Sequence, residues 1–131
     1  MGAWGNGNFE NDDAKDWVAE LKSIAPADLS KILAQAVDQP AYLESPSACI
    51  ALAAAEVVAA LGGSPAASVP AEVGDWVKRY PQALTPALKS EALRAAERVR
   101  RDSELKDLWM EADGLNEWIG VVKDLQSRLG G

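Results

Sequence analysis

Four carboxylates stand close together near the start of the chain: Glu10, Asp12, Asp13 and Asp16. Such a group can hold a hard cation, work as a general acid and base, or present a negative face to a basic partner. Asn6, Asn8, Glu10 and Asp12 alternate like the early ligands of a calcium loop. The pattern fails where it is most demanding, with Asn11 in place of the turn glycine and Trp17 in place of the closing glutamate. Gly5 and Gly7 begin a G-x-G, but Glu10 takes the position of the third glycine, and Asp12 and Asp13 would repel a phosphate from the helix start. These residues require neither metal nor cofactor. Their plain role is helix capping by solvated carboxylates.

Other chemistry is narrowed by what the composition lacks. With no histidine and one cysteine, Cys49, the chain has no Ser–His–Asp or Cys–His arrangement, none of the usual zinc sites and no internal disulfide. Cys49, in the first turn of a helix and without a base, reads as a small core residue. Glu56 lies on an otherwise apolar helix, where an acid needs a partner such as Arg, a Trp N–H or a helix end, or else carries a raised pKa. Glu10, Asp13 and Glu56 are the carboxylates a hydrolase would use, though spacing alone sets none of them across a cleft. Arg94, Arg98 and Arg101, with Lys89 and Arg100 beside them, form a basic stripe; interleaved Glu91 and Glu97 make it a solvated face with local ion pairs.

The elements that must position these residues are helical nearly throughout. Ala14, Trp17, Val18, Leu21, Ile24 and Ala25 form one stripe of a first helix, capped by Asn11 to Asp13 and ended by Pro26. Leu29, Ile32, Leu33, Ala36 and Val37 form a second, stopped before Pro40. Ser45 as N-cap and Pro46 at the first position open a third that runs to Leu61, with Glu56 its only charge after Ala48; a helix apolar nearly all round is buried. Further helices begin near Pro70, at Thr85-Pro86, after Ser103 and after Gly114. Trp17, Trp76, Trp109 and Trp118 fall in these stripes and read as core. The expected fold is all-α: a single domain over residues 1–131, with six or seven helices around a buried central helix near 46–61.

The opening, Met1 to Ala14, sets Gly2, Gly5 and Gly7 around Trp4 and Phe9. Two rings among glycines predict an ordered segment over residues 1–11, with Trp4 and Phe9 packed on the domain. Met1-Gly2-Ala3-Trp4-Gly5, Phe9 to Ala14 and Asp16-Trp17 resemble the start of an uncharacterised, mainly bacterial family grouped as domain-of-unknown-function family 4259. Ser103-Glu104-Leu105, Leu108-Trp109 and Glu117-Trp118 are similar to its C-terminal region. The resemblance implies a small helical bacterial protein and brings no activity, cofactor or catalytic residue.

Charge supplies the functional expectation. The net charge is −7. Nine acids against Lys15, Lys22 and Lys31 leave −6 in residues 1–60, while ten bases and eleven acids leave −1 in the remainder. That balance argues against nucleic acid. No signal peptide opens the chain, Asn6 stands where a myristoylation site on Met1-Gly2 needs Ser or Thr, and the apolar run from Ala48 to Leu61 is too short for a bilayer. The expectation is a cytoplasmic, non-enzymatic interaction protein, immunity- or inhibitor-like, engaging a partner with a basic surface. Trp4, Phe9, Glu10, Asp12, Asp13 and Asp16 are its candidate contacts. The alternative is a carboxylate-based or hard-cation-assisted hydrolase using the same acids.

Overall fold

A computed structural model describes residues 3–130, and among these the chain forms seven α-helices and no strand. They are α1 (Asp12–Ala19), α2 (Pro26–Asp38), α3 (Ser45–Leu61), α4 (Ala71–Arg79), α5 (Pro86–Arg101), α6 (Glu104–Glu111) and α7 (Leu115–Arg128). Met1 and Gly2, including the glycine weighed above as a lipidation site, lie outside the described residues.

All six other helices pack on α3. Its sequence explains this: every residue from Ala51 to Ala59 is buried, and seven of those nine are alanines or valines short enough to let neighbouring backbones approach. α2 and α5 lie along it, while α1, α4, α6 and α7 close the remaining sides. The central helix read from the sequence is therefore the core of the fold.

Local chemistry sets the ends. Asn11 Oδ1 accepts the Ala14 N–H at 2.8 Å, Thr85 Oγ1 that of Leu88 at 3.0 Å and Ser103 Oγ that of Lys106 at 3.1 Å, each satisfying an orphan donor of a first turn. α3 is capped from a distance instead. Its first residue is Ser45, the expected cap, so the N-cap falls one position earlier at Glu44, and the Ser45 N–H donates to Glu104 Oε1 on α6 at 2.8 Å.

The first helix is shorter than its stripe. It stops at Ala19, and Leu21–Ser23 form a single 3₁₀ turn before the extended Ala25. Pro26 disfavours helical backbone in the residue before it, so the chain straightens there. Pro26 then opens α2 rather than merely ending α1. Leu21 stays buried and Ile24 stays against the core because the tighter turn preserves an i, i+3 spacing. After α6 the left-handed residue is Asp113, at φ 58°. Gly114 is needed for space: a Cβ there would lie 2.9 Å from Trp109 Cε3.

Candidate functional site

The segment from Ala3 to Asn11 is a closed loop. Ala3 and Asn11 pair in an isolated antiparallel bridge, and the Trp4 N–H donates to the Glu10 carbonyl at 3.1 Å. The Glu10 carboxylate folds back inside, accepting the Gly7 N–H at 3.0 Å. It lies so close over the loop that a Cβ at Gly5 would come within 2.6 Å of Glu10 Oε2. Gly5 and Gly7 are thus places where a backbone meets a side chain. Phe9 packs on the core as expected. Trp4 does not: it is 59% exposed. The loop turns its backbone inward at residue 4 through the Glu10 bond, which leaves the ring facing out.

The four candidate acids separate accordingly. Glu10 braces its own loop. Asp13 is half-buried and near Cys49; burial first, and that carboxylate second, push the Cys49 thiol up to about 11. Asp12 and Asp16 are exposed, in register with exposed Glu20 at the C-cap of α1. Residues four apart share a helix face, so the three form one ridge. Among the described residues none of the three has an ion-pair partner, and no group of three His, Cys, Asp or Glu is arranged to hold a metal ion.

Glu56 belongs to a different construction. It is 2% exposed and held by Arg128 in a two-pronged pair, Nη1–Oε1 2.8 Å and Nη2–Oε2 2.9 Å. Asn8 Nδ2 donates to Oε2 at 2.7 Å, which ties the opening loop to the centre of α3. Arg128 also reaches the Ser64 carbonyl and Asp124, and Glu56 beside it raises its proton affinity further. The acid on the apolar helix is a paired structural anchor. It meets none of Glu10, Asp12, Asp13 or Asp16 in a common cavity.

The basic stripe is also engaged in part. Arg98 donates to the carbonyls of Gln39 and Ala41, at 2.6 and 2.9 Å, and to that of Asp102. Arg100 and Arg101 pair with Glu97, whose carboxyl is held below its ordinary value by the Gln126 hydrogen bond and by Arg100. Arg98 fastens α5 to the α2–α3 connection, Arg100 and Arg101 brace α5 itself, and the Lys89 and Arg94 side chains make no hydrogen bond or ion pair among the described residues.

Two features had no usable signal in the sequence. One is the identity of Glu56's partner, since Arg128 is seventy-two residues away. The other is a cleft of about 550 Å³ between α1, α2 and α3, walled by Trp17, Ile32 and Ile50, with Gln35, Asp38 and Ser47 among its polar lining. Trp17 is 7% exposed, yet its indole N–H has no acceptor among the described residues. The stripe that predicts Trp17 as core says nothing about what its nitrogen meets.

Residues 2–120 match the family described as Domain of unknown function (DUF4259). No curated protein and no solved structure matches the chain.

Proposed function

We propose that this chain, which belongs to the DUF4259 family, is a binding protein that presents the α1 ridge and Trp4 to a basic protein surface. One observation carries the reading: Asp12, Asp16 and Glu20 line one exposed face of α1 and, among the described residues, none of them is ion-paired, not even with Lys15 on the same helix. Like charges four residues apart repel, and Glu20 sits where the helix dipole disfavours an anion. α1 also has no basic residue in its last turn. Asp12 suits the N-terminal end of the helix dipole, but Asp16 and Glu20 bring α1 no such gain, whereas a basic partner would profit from all three.

Trp4 supports the same reading. Its backbone is fixed beside Glu10 at the start of α1, and its ring is solvent-facing. A rigid, exposed tryptophan beside carboxylates resembles the anchor of a protein interface, where Trp is enriched among energetically dominant contacts. The hydrolase alternative needs two acids converging across a cleft, whereas Glu56 is consumed by Arg128 and the N-terminal acids diverge. An immunity- or inhibitor-like role accords with these features by analogy.

The test is a pulldown from the native cell with wild type and with the Asp12→Lys, Asp16→Lys, Glu20→Lys triple variant, followed by on-rates across ionic strength. Capture that disappears in the triple variant, with an on-rate that falls as salt rises, is the expected result. A salt-independent on-rate, or greater loss from Arg94→Glu and Lys123→Glu, would move the interface off α1.

A further inference from the structure

The cleft beside α1 lies outside the ridge, and its lining is selective. At about 550 Å³ it falls in the size range of ligand sites. Asp38 is its one charged lining residue, and no lysine or arginine lines it. Asp13 precedes Trp17 by one turn on the same face of α1, and Asp16 and Glu20 flank it in sequence. Arg98, the cation at the C-terminal end of α2, is committed to the Gln39, Ala41 and Asp102 carbonyls and stands 3.8 Å from Asp102's carboxylate. An anion entering the cleft meets the Asp38 carboxylate and no lining cation, since Arg98 is turned to the Gln39 and Ala41 carbonyls and Arg94 borders Asp38 only in a neighbouring hollow. An apolar group followed by a cation meets Ile32, Ile50 and the Trp17 ring inside, and Asp38 at the edge.

The orphan indole N–H adds one more requirement. A buried donor without an acceptor forfeits the hydrogen bond it had in water. A small movement of the ring would let a carbonyl oxygen take that proton, and backbone carbonyls are what a peptide brings with its side chains.

We propose that the cleft takes a peptide segment of the basic partner in which an apolar residue adjoins a Lys or Arg, the apolar side chain seated against Trp17, Ile32 and Ile50 and the cation at Asp38. The partner's being a basic protein rests on the reading of the α1 ridge; the cleft names the part of it that is gripped.

The test uses the full chain, labelled with nitrogen-15, and three probes: acetyl-Leu-Arg-amide, acetyl-Leu-Glu-amide and phenethylamine. The Trp17 indole resonance is assigned from Trp17→Phe. The Leu-Arg probe should shift that resonance and the Ile32 and Ile50 methyls, and Asp38→Asn should weaken its binding roughly two- to fivefold, the reach of an exposed ion pair. The Leu-Glu probe should leave them unmoved. Equal binding of both dipeptides, shifts confined to other residues, or binding of phenethylamine with neither dipeptide would overturn the proposal. The triple α1 reversal separates the two readings. If it abolishes capture while the Leu-Arg probe fails to bind, the ridge stands and the cleft assignment falls. If the probe binds in an Asp38-dependent way but capture ignores the reversal, the ridge falls and the cleft stands.

Discussion

Charge is used differently at the two ends of this molecule. From α5 to α7, Arg98 holds the α2–α3 connection, Arg100 and Arg101 hold Glu97, and Arg128 joins Glu56 to Asp124 and Ser64. On α1, Asp12, Asp16 and Glu20 stand in a row with no described partner. Net charges of −6 and −1 express the imbalance but not its meaning. Arg98 and Arg128 tie elements of the bundle together, whereas Asp16 and Glu20 act against the helix that carries them and only Asp12 suits its end of the dipole. A charge spent internally is sensitive to stability measurements; one left outside is sensitive to binding measurements. The two regions should therefore respond to substitution in opposite ways.

The sharpest contrast comes from the buried pair. Removing one partner of a buried ion pair leaves the other uncompensated and costs 3–5 kcal/mol in well-studied cases. The Arg128 side chain is 18% exposed, so water recovers part of that, and Arg128→Ala is expected to cost about 3 kcal/mol in urea unfolding. Glu56→Leu combined with Arg128→Met should recover most of the loss, because no charge is then stranded. A cost for Arg128→Ala below about 1 kcal/mol would mean the pair behaves like a surface bridge, and the comparison would lose its C-terminal half.

Arg98→Ala comes next. It deletes charge-assisted bonds to three carbonyls at a half-exposed site, for an expected cost of about 1–2 kcal/mol. Amide exchange should quicken at Ala41 to Leu43 more than in α3. Uniform quickening would show that Arg98 supports the whole fold and not that connection.

Cys49 tests the boundary between the regions through pH. Its thiol is pushed up to about 11 by burial and then by Asp13. The unfolded thiol loses its proton near its ordinary value of 9.0 while the native one keeps it. The associated stability is therefore complete below about pH 9 and is lost as pH rises toward about 11, roughly 1 kcal/mol of it by about pH 10. Wild type should lose melting temperature faster than Cys49→Ala across that window. Parallel slopes would show that the thiol does not feel this environment.

How much of this was legible in advance depends on range. The helices follow from spacing, because apolar periodicity is local and α3 is apolar on every side. Asn11, Thr85 and Ser103 were readable as caps for the same reason. The stop at Ala19 is hidden because the stripe continues through a 3₁₀ turn whose i, i+3 spacing mimics a helix. The exposure of Trp4 is not legible because it is set by how Glu10 folds over Gly5 and Gly7, which composition cannot express. Arg128 was invisible as Glu56's partner because a three-dimensional crossing of α3 and α7 chooses it. The acidic cluster was legible as a cluster, but its division into a brace, a half-buried carboxylate and a free ridge was not.

The smallest stability effects belong to α1, and their sign is the informative part. Surface substitutions away from special features stay within about 0.5 kcal/mol, and Trp4→Ala should do so, in contrast to the ~3–5 kcal/mol that truncating a packed ring costs. Glu20→Lys replaces an anion at a helix C-terminus with a cation and relieves repulsion from Asp16, so it should stabilise the protein by about 0.3–1 kcal/mol. The same variant should bind the partner less well. A residue that weakens its own fold and strengthens a complex is retained for the complex. If Glu20→Lys destabilises the protein, the carboxylate has an internal role after all, and α1 would have to be grouped with the charges of α5 to α7.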